Sequence, residues 1–274
     1  MQVYRLMDIG TAKPTFAERE QARFHLLDLV LPDAHFNVAD WKSRAEEAIR
    51  DTTERGVRAI ICGGTGMYVR ALLQDWSLAD TARDSDARAH WREQLQQLGP
   101  EGLHQVLRGI DSASADRLHP NDVVRVSRAL EVYSASGQPL SVHRMRDRQR
   151  VSIRQAIKVG VTLPREHLYA RIERRVDAMF SSGLVDEVTG LVAQGYDHSY
   201  APMRSLGYKE VHQLLRGEID YAQCVALVKQ NTRRFAKRQQ TWYRAEPDIC
   251  WFDCSSLDFA SIAAQINTYV RDTR

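Results

Sequence analysis

The compact apolar run Val57 to Cys62 leads straight into Gly63-Gly64-Thr65-Gly66, and the stretch after it, Met67 to Trp76, has helical composition. A buried strand, a tight glycine turn and a helix in that order mark an α/β protein, because the period of the apolar residues changes abruptly across the turn. The turn also has chemistry. Glycines lack a Cβ and let the backbone come close to a ligand, while the following helix aims its free N–H groups and positive dipole end at that place. Thr65 adds a hydroxyl donor. An anion, phosphate above all, fits here; the alternative is a tight turn with no ligand.

Around this core the pattern is helical. Asn37 caps a helix from Val38 to about Arg55, and Gly56 stops it. Short strands are expected at Phe24–Val30, Ile153–Val161 and Ile249–Phe252, with helices at Pro164–Ser181, Leu184–Gln194, Tyr208–Arg216 and Tyr221–Arg244. Between Ser77 and about Met145 the chain is charged, helical and poor in strand signals, punctuated by Gly99-Pro100 and by Gly137 with Pro139. The expected division is an α/β core of residues 1–76 and 146–274 carrying a helical insertion at 77–145. The strand count is low for a parallel sheet of this size.

Composition excludes some classes. No apolar run approaches the roughly 18 residues of a membrane-spanning helix, so no membrane partner is expected. The opening MQVYRLMDIG lacks the order of a signal peptide, and a cytoplasmic location is expected. Cys62, Cys224, Cys250 and Cys254 form no CxxC pair and read as reduced, buried thiols rather than a zinc site or a disulfide; no metal ligands are assigned. The net charge of +3 is too small to imply nucleic acid, but arginine is dense in particular helices.

Three of those dense places carry possible chemistry. Arg175 lies seven residues after Leu168 and three after Ile172, which predicts a place on the apolar face of its helix. A cation there needs an anionic partner, either a structural carboxylate or a phosphate that the guanidinium fork suits. The last long helix carries Lys229, Arg233, Arg234, Lys237, Arg238 and Arg244 with Phe235, Trp242 and Tyr243 interleaved. Cations track a phosphate backbone and aromatics stack on unpaired bases, although a solvated basic face has the same pattern. Arg83, Arg88, Arg92, Arg125 and Arg128, then Arg144 to Arg150, form a third group that either grips RNA or keeps a surface soluble. His119 reads as part of a helix start.

Six strings in order, QVYRLMDIGTAKP (Gln2–Pro14), GGTGMY (Gly63–Tyr68), HPNDVVRVSRALEVY (His119–Tyr133), RIERRVDAMFSSGLVDEV (Arg171–Val188), RSLGYKE (Arg204–Glu210) and RRFAKRQQTWYR (Arg233–Arg244), resemble the tRNA dimethylallyltransferase family. The resemblance spreads over nearly the whole chain. It implies a P-loop NTPase-like parallel-sheet core with a helical insertion that helps hold the anticodon stem-loop of tRNA. It implies transfer of a dimethylallyl group from dimethylallyl diphosphate to N6 of the adenine just 3′ of the anticodon, with Mg²⁺ assisting at the diphosphate. Thr65 and Arg175 match positions with catalytic roles in the diphosphate channel, with Gly63 and Gly64 beside them. The matching tRNA contacts are Met1, Gln2, Thr65, Arg88, Val124, Arg125, Val126, Ser127 and Arg128. Arg204, Ser205, Leu206, Gly207, Tyr208 and Lys209 match a further tRNA contact. Lys237, Arg238, Gln239, Gln240, Thr241, Trp242, Tyr243 and Arg244 match the last.

Two features of that family are absent: the sequence holds no GxxxxGK[ST] loop, and no Asp-Ser pair before Met1-Gln2. In the family that Asp is the expected general base. The resemblance therefore implies that the first strands and the phosphate loop are missing, through a misplaced start, a fragment or a short form without catalysis. The expectation is that these 274 residues alone are poorly stable and do not turn over. Two other functions compete: prenyl transfer to free adenine nucleotide, and tRNA binding without catalysis. A monomer is expected.

Overall fold

The computed structural model describes residues 1–74, 76, 85–149, 155–255 and 258–273. In chain order the first helices are α1 (Phe16–Gln21), α2 (Val38–Glu54), α3 (Gly66–Leu73), α4 (Ser85–Ile110), α5 (Ser112–Ala115), α6 (Val123–Ser136) and α7 (Leu140–Gln149). Strand β1 (Lys158–Thr162) is followed by α8 (Arg165–Ser181), α9 (Leu184–Ala193), α10 (Tyr208–Leu215) and α11 (Tyr221–Arg244). Strand β2 (Ile249–Asp253) and α12 (Phe259–Asp272) come last. Helix α12 has no counterpart in the sequence reading, although Asp258 caps it by accepting from Ser261 N.

The chain divides into two compact units. One comprises Met1–Phe36, Glu47–Gly66 and Ala156–Arg274; the other comprises Asn37–Glu46 and Met67–Gln155. The second unit is thus larger than the insertion read from sequence, taking in the segments 37–46, 67–76 and 146–155.

The second unit is helical and buries its own core. Leu103 and Leu107 of α4 meet Val126, Ala129 and Leu130 of α6, with Trp91, Ala115 and Leu118 closing the cluster. Their spacing, four residues apart on α4 and three and four on α6, is the helical period that the sequence shows. Local signals fix the ends. Asn37 Oδ1 accepts from the N–H groups of Ala39 and Asp40 at 2.7 and 3.2 Å, while Asp40 returns a bond to Asn37 N. Gly99 (φ 67°) breaks α4 ahead of Pro100, and Gly137 (φ 67°) ends α6 in the left-handed conformation that glycine adopts without a Cβ penalty. Buried Asp111 ties three elements together: its carboxylate accepts from Ser114 N at 3.0 Å and Ser141 N at 2.9 Å.

The first unit holds a sheet of two strands. β1 and β2 pair in parallel, Lys158 with Ile249 through Thr162 with Asp253. Their crossover runs through the helices α8 to α11, as parallel pairing requires. The expected parallel core is therefore present, but small. Two expected strands are not formed. Phe24–Val30 contributes only an isolated bridge between Tyr4 and Val30. Val57–Cys62 has no ladder partner among the described residues. Apolar composition favours a strand, but a strand exists only where another backbone accepts its hydrogen bonds. In consequence Val57, Ile60 and Ile61 are exposed, Ile60 at 87%.

Candidate active site and nucleic-acid interface

The glycine turn is built against the end of α11. Gln239 Nε2 donates to the carbonyl of Gly64 at 3.1 Å, and the Tyr243 hydroxyl reaches the carbonyl of Gly63 at 3.4 Å. A Cβ on Gly64 would overlap the Gln239 amide, and one on Gly66 would overlap the Trp242 indole. Two of the glycines therefore allow close approach of the protein's own helix, a reason the sequence reading did not supply. Thr65 is exposed, with its hydroxyl at the start of α3. Burial raises the Tyr243 hydroxyl above its usual range.

The basic residues of α11 fall into two sets. Lys229 pairs with Asp177 at 2.7 Å and Arg233 with Glu173 at 2.7 Å. Arg233 also lies over the ring of Tyr169, 6.0 Å from its centroid. These two cations hold α8 to α11 and are not free for phosphate, which corrects their sequence reading. Farther along, Lys237, Arg238 and Arg244 are exposed and have no ion-pair partner among the described residues. Phe235 and Trp242 stand exposed among them, and Arg238 lies 5.9 Å from the Phe235 centroid. Gln239, Gln240 and Tyr243 are half-buried and Thr241 is exposed.

Arg175 does not sit on the buried face of α8. The buried positions are Ile172, Val176 and Phe180, four residues apart. At about 100° per residue a four-residue step drifts forward, so the stripe turns away and Arg175 lies roughly 100° from its centre. The guanidinium is exposed, without an ion pair among the described residues. The core-facing assignment was thus wrong: Arg175 is an exposed cation on α8.

Other expected contacts divide similarly. Val124 and Arg125 are exposed, but Val126 is 0% exposed and belongs to the helical core. Its side chain is closed to any ligand, because it falls on the inward face of α6. Ser127 and Arg128 are half-buried. Glu131 accepts from Arg128 at 3.2 Å and lies 3.9 Å from Arg88, so one carboxylate orients two arginines. Arg83 and Arg150 lie outside the described residues. Arg204 and Lys209 are exposed, with Ser205 and Leu206 half-buried, Gly207 buried and Tyr208 0% exposed. Tyr208 is closed to tRNA: its ring packs over Gly10, and its hydroxyl donates to Glu187 at 2.5 Å. Burial and the Glu187 carboxylate push that hydroxyl far above its usual range.

Met1 and Gln2 open a loop with no regular structure that is nonetheless closely held. Gln2 Nε2 donates to the carbonyls of Thr11 and Ala12 at 3.2 and 2.8 Å. With its amide nitrogen committed, the side-chain oxygen is left as an acceptor. Lys13, with a side chain 2% exposed, bonds Asp8 at 2.6 Å, Asp28 at 2.5 Å and the carbonyl of Tyr4 at 2.6 Å. Burial would raise the Asp28 carboxyl, but bonds from Lys13 and Arg19 hold it below the usual range. Glu187 accepts from the N–H groups of Asp8, Ile9 and Gly10. Sequence reasoning missed Glu187, and no spacing rule could have found it, because its partners lie at the other end of the chain.

The four cysteines are free thiols, but of the four expected to be buried only Cys224 is; Cys62 is exposed because its segment joins no sheet among the described residues, and burial pushes the Cys224 thiol up to about 11. Among the described residues no group of three His, Cys, Asp or Glu stands together as a metal cage, and no helix is long and apolar enough to cross a membrane.

Comparison with known proteins agrees with this arrangement. The family described as IPP transferase matches residues 2–246. tRNA dimethylallyltransferase 2 of Geotalea daltonii is 44% identical over 267 residues, covering 97% of this chain and 81% of that protein. tRNA dimethylallyltransferase of Geobacter metallireducens is 45% identical over 92% of this chain and 82% of its own. Among solved structures, the tRNA isopentenylpyrophosphate transferase of Bacillus halodurans is 36% identical with a TM-score of 0.72, covering 99% of this chain and 84% of that one. A eukaryotic dimethylallyltransferase acting on tRNA is 25% identical with a TM-score of 0.78, over 99% and 71% respectively. With a turn that can face an anion, a basic aromatic helix locked to it and matches along nearly its full length, the chain belongs to the IPP transferase family.

Proposed function

We propose that this protein transfers a dimethylallyl group from dimethylallyl diphosphate to N6 of the adenine just 3′ of the anticodon in tRNA. The observation that carries the reading is the direct bonding of the glycine turn to the part of α11 that presents free cations and exposed aromatic rings. The diphosphate end of one substrate and the strand of the other would then meet on one rigid piece. The parallel β1–β2 pair with its helical crossover suits a P-loop-type core as the scaffold.

The chemistry follows from the side chains. Diphosphate leaves readily once its charge is neutralised. Thr65, as hydroxyl donor, and the N–H groups beginning α3 are suited to that task, and Arg175 is an unpaired cation for the same charge. A base to be alkylated must leave its stack, and Trp242 and Phe235 offer faces for the unstacked strand. Lys237, Arg238, Arg244, Arg204 and Lys209 would follow the phosphates. Mg²⁺ suits a hydroxyl oxygen beside a diphosphate, since it keeps water and substrate phosphate oxygens as ligands. Thr65 is the residue here that would help hold it. When bound it would neutralise the departing diphosphate.

The test supplies labelled dimethylallyl diphosphate with tRNA and AMP together. Label in tRNA is the expected product of the transferase; label in AMP would replace tRNA with a free-nucleotide acceptor. Salt-sensitive tRNA binding with no label would mean binding without catalysis and would overturn the transfer.

A further inference from the structure

We propose that Glu187 is a positioning residue for base recognition, and that with Tyr208 it forms a strut setting the loop that carries Gln2. The inference rests on the proposed transfer to tRNA, with Gln2, one of the tRNA contacts that the resemblance implies, taken as a reader of the target base.

Glu187 stands in the first turn of α9, yet its carboxylate is used on the loop. Oε2 accepts from Asp8 N at 2.9 Å and Ile9 N at 2.7 Å; Oε1 accepts from Gly10 N at 3.2 Å and from the Tyr208 hydroxyl. Three consecutive amides converging on one anion fix the backbone at those residues, because each must keep its N–H aimed inward. Gly10 is required there, since a Cβ would run into the Tyr208 ring. From this fixed segment the constraint passes to Gln2. The Thr11 hydroxyl donates to the carbonyl of Met7 at 2.6 Å, and the carbonyls of Thr11 and Ala12 hold the Gln2 amide. Leu6 (φ 66°) and Ala12 (φ 49°) adopt left-handed conformations that the loop must maintain against their ordinary preference. The backbone carbonyl of Gln2 accepts from Asp28 N at 3.2 Å, so what this net sets is the direction of the Gln2 side-chain amide. Tyr208 also begins α10, immediately after the exposed Arg204 stretch, so the strut fixes the Gln2 loop and that stretch relative to each other.

Glu187→Gln keeps the size of the side chain and removes its charge and half of its acceptor capacity. The full chain is titrated with two anticodon stem-loops, one with adenine 3′ of the anticodon and one abasic at that position. Exchange of the amides at Asp8 to Gly10 is followed by mass spectrometry. The wild-type protein is expected to prefer the adenine stem-loop. In Glu187→Gln that preference should fall about tenfold, with faster amide exchange and unchanged affinity for the abasic stem-loop. Tyr208→Phe, which removes one donor and keeps the ring, should give a smaller fall in the same direction and decides the matter if Glu187→Gln does not fold. If the wild-type preference is real but neither variant reduces it, the strut is overturned and the base reading stands. Equal loss on both stem-loops would make Glu187 structural only and also overturn it. A wild-type protein without preference removes the base reading, and the positioning role falls with it.

Discussion

In the helical unit, Leu103 and Leu107 face Val126, Ala129 and Leu130, and none of these is more than 1% exposed. In the α/β unit, the most apolar runs do the opposite: Val57, Ile60 and Ile61 stand open, as do Val161 of β1 and Trp251 of β2. Both patterns come from stretches that carry large apolar side chains. The difference is where the backbone bonds are made. A helix completes its bonds within itself and needs only one face covered, which a neighbouring helix supplies. A strand needs partners on its edges and layers on both faces, and a two-stranded parallel ladder has few of either.

The largest effect should come from cutting into the closed core. Leu130→Ala is expected to cost the helical unit about 2–5 kcal/mol, while Ile60→Ala costs under about 0.5 kcal/mol. Hydrogen exchange resolved by segment, across a urea series, would show both; equal costs would erase the contrast between the units. Next comes Asp111. Its carboxyl is raised by burial but held below the usual range overall by the bonds from Ser114 and Ser141. Such a depressed group adds stability that is complete above the unfolded carboxylate range, near pH 4, and fades as pH falls through the lowered value. Asp111→Ala should remove about 1–3 kcal/mol at neutral pH and flatten that part of the acid limb, leaving the β1–β2 ladder unaffected. The smallest effect is on the open side. Ile60→Ser should change stability by less than about 0.5 kcal/mol but lower self-association measured by light scattering, since clustered exposed apolar side chains invite association. Unchanged association would show that these residues do not drive it.

The same contrast decides what could be read in advance. The span of α11, the cap at Asn37, the break at Gly99-Pro100 and the end at Gly137 are local, and each was legible from a few neighbouring residues. The parallel pairing was legible as a class, but its extent was not, because ladder partners are set by distant chain. Arg175 was misplaced by treating three-residue and seven-residue offsets as enough to fix a face, when the stripe actually follows a four-residue step. Lys229 and Arg233 counted as free cations until Asp177 and Glu173 were found opposite them. Val126 and Tyr208 came from strings that resemble tRNA contacts, and such strings do not separate residues that touch a ligand from those that support the ones that do.

The attachment of the glycine turn to α11 has one more effect. A trans peptide points its C=O and the next N–H in opposite directions. With the oxygens of Gly63 and Gly64 drawn toward Tyr243 and Gln239, the hydrogens on the nitrogens of Gly64 and Thr65 are turned outward. The side chains of α11 thereby polarise the bend, leaving its electropositive side to the solvent.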